Sequence, residues 1–294
     1  MANTELEEVR GVWLSRPFGT TLPEWRIAFD GLADLFSTAS DIDLTSVDAN
    51  GVSAEWSAAP GVEDNRAILF LHGGGYGMGS IRSHRHLVSE VGRSARAKVL
   101  SLDYRLAPEA PFPAAVDDAL AAYRFLLDSG FEAHSISIAG DSAGGGLAVA
   151  LLLAARDAGL PQPACCVCIS PWVDMELEGS TMVTKAAEDQ MAPKPMLIPL
   201  RDAYVGGHSA RHPLVSPIHA DFRGLAPLLI LVGSAETLLD DAVRLAGAAG
   251  AAEVAVRLEI WPEMVHVWPL FHSILADGRH ALARIGDYIR EHFQ

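Results

Sequence analysis

Residues 138–146 read I-A-G-D-S-A-G-G-G and leave the backbone few options. A short β-branched run (135–138) leads into Gly140-Asp141-Ser142-Ala143-Gly144, and an apolar, helix-like run (147–155) follows at once. Turning a strand into a helix over so few residues presses backbone against backbone, so a Cβ at Gly140 or Gly144 would collide with its neighbours. Ser142 is then expected in a strained conformation, its hydroxyl clear of the sheet and above the positive end of the helix. The same residues also suit a plain glycine-rich turn capped by Ser142 or Asp141. The rest of the chain decides between these readings.

Strand patterns recur along the chain. Residues 52–57 alternate, and 67–71 (A-I-L-F-L), 98–102, 135–138, 164–170, 228–232 and 254–261 read as further strands. Helical patterns occupy 84–95, 117–127, 147–158, 238–249 and 271–292. A continuous apolar strand is one covered on both faces. The β-α-β-α-β order therefore predicts an α/β fold with a mostly parallel sheet and helices on both sides.

Two stretches break the alternation. Residues 1–45 carry Trp13, Phe18, Trp25, Phe29 and Phe36 among acidic and Gly/Pro breaks, and read as one or two amphipathic helices. Residues 173–222 hold Pro193, Pro195, Pro199, Pro213 and Pro217 with Met175, Met182, Met191 and Met196, and show no strand pattern. Each segment either packs simply onto the domain or covers a site. The division read from this is an N-terminal cap part at 1–45, core at 46–172, a cap insertion at 173–222, and core again at 223–294.

A formal charge of −15, from 22 Lys+Arg against 37 Asp+Glu, with no concentrated basic stretch to hold phosphates, argues against nucleic acid and anionic membrane surfaces as partners. The longest apolar run, 147–155, falls far short of the roughly 20 residues that span a bilayer. The start, M-A-N-T-E-L-E-E-V-R, lacks the basic and apolar parts of a secretion signal. Cys165, Cys166 and Cys168 share one predicted strand and read as buried small hydrophobes, without metal-ligand spacing. An unpaired, clustered set fits a reducing compartment, so a cytoplasmic location is expected.

A reactive serine needs a base, a group that orients the base, and donors for an oxyanion. After the strand at 228–232 comes G-S-A-E, which puts Glu236 at that strand's C-terminal edge. After the last strand comes P-E-M-V-H, which puts His266 in the next loop. The chain order Ser, acid, His is the one a nucleophile elbow calls for. Asp240 and Asp241 follow Glu236 closely but sit where a helix has begun, and Glu263 shares the base's own loop. Of the other histidines, His272 and His280 fall in the closing helix, and His208, His212 and His219 in or beside the irregular insertion. The oxyanion donors are read as the N–H groups of Gly74, Gly75 and Ala143. His72-Gly73-Gly74-Gly75-Tyr76 directly follows the strand at 67–71, where glycines let the backbone approach a substrate. His72, Gly73, Gly140, Asp141 and Gly144 support these motifs. No G-K-[ST] follows the glycines, and no helix with an acidic partner about 20 residues on, so nucleotide readings fail.

With H-G-G-G-Y (72–76), D-Y-R-L-A-P-E (103–109), F-P-A-A-V-D-D (112–118), G-D-S-A-G-G (140–145) and S-P-W-V-D (170–174) in this order, the chain resembles the hormone-sensitive-lipase-like α/β hydrolases, the bacterial family IV esterases. The resemblance implies an α/β-hydrolase fold. Its eight-stranded, mostly parallel sheet would be flanked by helices, with a helical cap built from the N-terminus and an insertion after the sixth strand. It also implies that Asp103 to Glu109 are scaffold, with Arg105 pairing to Glu109 or Asp117. The commoner family pattern has Asp where this chain has Glu236, whose longer side chain must reach the imidazole by another path; Asp240 stays open as a second orienter.

The function expected is a serine carboxylesterase. Its triad is Ser142, His266 and Glu236, it needs no metal or cofactor, and its substrates are small short- to medium-chain esters. Its rate should rise with pH through an apparent pKa of about 6–7. A lactone hydrolase of the same family is the alternative. A peptidase or amidase would normally carry a further substrate-binding domain, and a non-catalytic receptor would be expected to lack the histidine. The family often dimerises through the last strand, and residues 254–261 offer such an edge for a homodimer.

Overall fold

The computed structural model describes residues 4–15 and 19–294, so Phe18 lies outside the described residues. Eight strands form one sheet: β1 (Asp43–Asp48), β2 (Ser53–Ala58), β3 (Glu63–Leu71), β4 (Ala97–Leu102), β5 (Ile136–Asp141), β6 (Cys165–Ile169), β7 (Leu228–Gly233) and β8 (Val256–Trp261). Their spatial order is β1-β2-β4-β3-β5-β6-β7-β8. The β1–β2 and β2–β4 pairs are antiparallel and all the others parallel. Every residue of β5, β6 and β7 is buried, as the continuous apolar runs require. Cys165, Cys166 and Cys168 lie in that buried layer as free thiols.

The helices are α1 (Thr4–Leu14), α2 (Leu22–Asp30), α3 (Ile81–Ala95), α4 (Ala114–Asp128), α5 (Ala143–Asp157), α6 (Thr181–Thr184), α7 (Lys194–Val205), α8 (Leu239–Ala251) and α9 (Ala276–His292). α3 packs on α9, and α4 on α5. α5 is buried from Ala143 through Ala155, which is why its sequence is apolar all round rather than on one stripe.

Three expectations shift. The core's first strand, β1, begins at Asp43, ahead of the boundary read at residue 46. It is an exposed edge strand without an apolar run, joined to β2 by a turn whose Asn50 and Gly51 both have positive φ. The closing helix starts at Ala276; residues Trp268–Phe271 form a separate 3₁₀ turn, so His272 precedes the helix. Arg105 pairs with neither Glu109 nor Asp117. α4 starts earlier than the pattern at 117–127 suggested and turns Asp117 to solvent and Asp118 inward. Asp118 then takes the Arg105 guanidinium at 2.6 Å and its backbone N–H at 2.9 Å, while Glu109 pairs with Arg26 of α2.

Candidate active site

The sequence-derived site residues lie together beyond the C-terminal ends of the strands, where ligands gather in parallel α/β sheets. β5 ends one residue before Ser142, whose φ of 54° and ψ of −120° put it in a region that L-residues seldom adopt. The strain is held from both sides: Ser142 N–H donates to Ile169 O at 2.8 Å, and Ser142 O accepts from Trp172 N–H at 2.9 Å. Glycine is obligatory around it. A Cβ on Gly140 would come within 2.3 Å of Gly144 O, and one on Gly144 within 1.9 Å of Leu71 O. α5 starts at Ala143, so the serine stands at the positive end of a long buried helix.

His266, in the loop after β8, comes within 2.9 Å of the Ser142 hydroxyl through Nε2 and within 2.8 Å of Glu236 Oε2 through Nδ1. A carboxylate only accepts, so Nδ1 carries the proton and Nε2 is free to accept from the serine. Glu236, in the loop after β7, is fully buried. Its other oxygen, Oε1, accepts from the Ser170 hydroxyl at 2.7 Å and from Gly233 N–H. Ser170 in turn accepts from Val267 N–H at 3.1 Å, tying the acid to the backbone beside the imidazole. Burial pushes the Glu236 carboxyl up, against the pull of His266. Burial pushes His266 down, but the hydrogen bond and charge of Glu236, helped by Asp189 and Asp141, carry it above the ordinary 6.5.

The competing acids face elsewhere. Asp240, in the first turn of α8, accepts from Ser180 N–H at 3.0 Å. Asp241 accepts from the N–H groups of Val173 and Asp174, each at 3.0 Å. Glu263 is exposed. Ser170 belongs to the S-P-W-V-D stretch, and nothing in its local sequence marks it as a partner of Glu236, because the two are 66 residues apart.

The loop after β3 lies alongside. Gly74 and Gly75 have φ of 116° and 63° and face the same pocket as Ser142 and His266. Asp141 Oδ1 accepts from Gly73 N–H at 3.0 Å, and its Oδ2 from His84 at 3.3 Å, so the residue before the serine anchors the glycine loop. His72 donates through Nδ1 to Gly73 O at 2.8 Å, stacks on Tyr104 and takes the Tyr104 hydroxyl on its carbonyl. Burial and the neighbouring His84 push the His72 imidazole down to about 3, so it stays neutral and structural.

The pocket beside Ser142 and His266 is narrow, with a cavity volume of about 50 Å³. Its far walls are Trp13 of α1, Phe29 of α2, and Met191, Ala192, Met196, Leu197 and Leu200 from the insertion. The Trp13 indole donates to Gln190 O at 3.1 Å, and Tyr76 stacks on Tyr204 of α7 at 3.6 Å. Both irregular segments therefore meet over the serine. Among the described residues Asp174, Glu176 and His219 also cluster, but Arg244 and Arg211 already pair with the two carboxylates. No helix among the described residues is long and apolar enough to cross a membrane.

A family described as the alpha/beta hydrolase fold matches residues 68–270. The acetyl-hydrolase of Streptomyces hygroscopicus is 47% identical over 294 residues, 99% of this chain and 97% of the relative. Esterase LipU of Mycobacterium tuberculosis is 34% identical, over 93% of this chain and 96% of its own. The crystal structure of an esterase from the bacterial hormone-sensitive lipase family superposes with a TM-score of 0.98 at 45% identity, covering 100% of both chains. With the sheet order, the elbow and these likenesses in agreement, the chain belongs to the α/β hydrolases, within their hormone-sensitive-lipase family of esterases.

Proposed function

We propose that this chain is a serine carboxylesterase that hydrolyses short- to medium-chain carboxylic esters through an acyl-enzyme. The observation that carries the reading is the unbroken chain of contacts Ser142–His266–Glu236, at 2.9 and 2.8 Å. Ser142 Oγ attacks the ester carbonyl as its proton passes to His266 Nε2. The oxyanion lies against the N–H groups of Gly74, Gly75 and Ala143, each worth about 3–4 kcal/mol of transition-state stabilisation. His266 returns the proton to the leaving alcohol, which departs and leaves Ser142 acylated. Water then attacks the acyl carbon, giving its proton to His266, and collapse of that second intermediate frees the acid and restores the serine. Glu236 holds the imidazole tautomer and stabilises the imidazolium.

The segment before β1, up to residue 42, and residues 173–222 act as a cap over a core made of 43–172 and 223–294. Support comes from the pocket wall: Trp13 and Phe29 from the first segment, Met191, Met196 and Leu200 from the second. An apolar pocket closed on its far side favours a small acyl group, and the Streptomyces relative's name, acetyl-hydrolase, points the same way.

The test uses a fluorophosphonate probe and two p-nitrophenyl esters. Covalent labelling is expected on Ser142 and not on Ser142→Ala, with butyrate turned over faster than palmitate. Absence of labelling would exclude the acyl-enzyme, and preference for palmitate would exclude the short-chain assignment. Lactones and amides in the same panel separate the remaining ester-related activities.

A further inference from the structure

The insertion carries a buried carboxylate that the reaction above does not use. Asp189, between α6 and α7, is 4% exposed. Its Oδ1 accepts the N–H groups of Met191 and Ala192, both at 2.9 Å. Its Oδ2 accepts Thr237 N–H at 2.8 Å. The Thr237 hydroxyl stands 3.0 Å from that same Oδ2 and 2.7 Å from Ala192 O, its single proton serving one at a time. Thr237 follows Glu236 in the chain, while Met191 and Ala192 form pocket wall. One carboxylate thus holds the surface facing the substrate and the residue beside the acid of the triad, across 48 residues of sequence.

We propose that Asp189 is a positioning residue of the acyl-transfer reaction, locking the Glu236 loop and the pocket wall into one geometry. The inference rests on the roles given above to Ser142, His266 and Glu236. An Asp at this place satisfies three backbone donors at once, whereas an apolar residue would leave buried N–H groups unpaired. The charge acts as well. The charged groups facing His266 are Glu236 from the loop after β7, Asp189 from the insertion and Asp141 from the end of β5, and all three favour its protonated form. Asp189 therefore supports the imidazolium that forms as Ser142 is deprotonated, without touching substrate.

Asp189→Asn keeps the shape and the Oδ1 acceptor but removes the charge and sets an amide N–H₂ against Thr237 N–H. For this variant we expect kcat to fall about tenfold to a hundredfold, the scale of a misplaced catalytic group. The acid limb of kcat/KM should also move to lower pH, because a negative charge near the base is gone. A residue that merely held the fold together would lower the melting temperature and leave that limb in place. Wild-type kcat and an unmoved limb in folded D189N would overturn the proposal. If D189N does not fold, Thr237→Val decides: it retains the charge, so kcat should drop severalfold with the limb unmoved, and a wild-type kcat overturns the proposal. Ser142→Ala run in parallel separates the two ideas. An active S142A would remove the reading of the triad itself, whereas an inert S142A beside an unimpaired D189N removes only the role of Asp189.

Discussion

Glu236 is itself fully buried and spends both its oxygens, Oε2 on His266 and Oε1 on Ser170 and Gly233. Its extra methylene relative to Asp lets the carboxyl reach the imidazole from a buried position braced by β6 and β7. Glu236→Gln must direct either an amide oxygen or an N–H₂ at His266 Nδ1. Since Ser170 donates to the other position, the N–H₂ is driven toward the ring and favours the wrong tautomer. A fall in kcat of about 10⁴-fold is expected, with KM little changed, measurable by steady-state hydrolysis of p-nitrophenyl butyrate. Only the neutral imidazole accepts the serine proton, so kcat/KM falls as pH drops through the pKa of His266. That pKa is raised above 6.5, against burial, chiefly by Glu236. The acid limb of the wild type should accordingly lie above the ordinary histidine value, and removal of the Glu236 charge should bring it down. His266 was identifiable from its place after the last strand. Ser170 was not, because its function depends on a partner brought in by another strand.

Among elements, the turn between β5 and α5 allows the least change. Gly144→Ala would place a methyl 1.9 Å from Leu71 O and 2.6 Å from His72 O, both backbone atoms that cannot move away singly. We expect loss of soluble, folded protein, or at best a melting temperature many degrees lower by circular dichroism. The glycine loop after β3 is held from outside by α2. Arg26 donates to Gly77 O at 2.7 Å, to Ala107 O at 2.8 Å and, through both terminal nitrogens, to Glu109. Glu109 is largely exposed, so the ion pair itself contributes little. The carbonyl bonds matter more: Gly77 belongs to the loop that presents Gly74 and Gly75, and Ala107 braces it by donating its N–H to Tyr76 O at 2.8 Å. Arg26→Met should cost about 1–2 kcal/mol in denaturant unfolding and lower kcat severalfold. Equal kcat in the two proteins would show that α2 does not position the loop. Element types in the parallel core were readable because their apolar runs are long. β1 has no such run and so is not legible in the sequence, and the partner of Arg105 depends on the rotation of α4.

At the scale of the whole molecule, the sheet has two edges, β1 and β8, and Ile260 on β8 is 46% exposed. An unpaired edge with an exposed apolar side chain favours pairing with a second copy. A homodimer is expected at micromolar concentration in light scattering, and Ile260→Lys should shift it toward monomer; a wild type that is monomeric there would rule the arrangement out. The formal charge of −15 opposes close approach of two copies, so the dimer should tighten as added salt screens it. Local chemistry was sufficient for the strand and helix alternation, the strained serine turn, and the order of serine, acid and histidine. Each of those depends on neighbours within a few residues: glycines that admit close backbone, apolar runs that demand burial, loops that follow strands. The meeting of Trp13 with Gln190, the grip of Ser170 on Glu236 and that of Asp189 on Thr237 came only with folding. They join segments tens of residues or more apart, and a buried hydrogen bond is specified by where two backbones come to rest, which no single stretch of chain encodes.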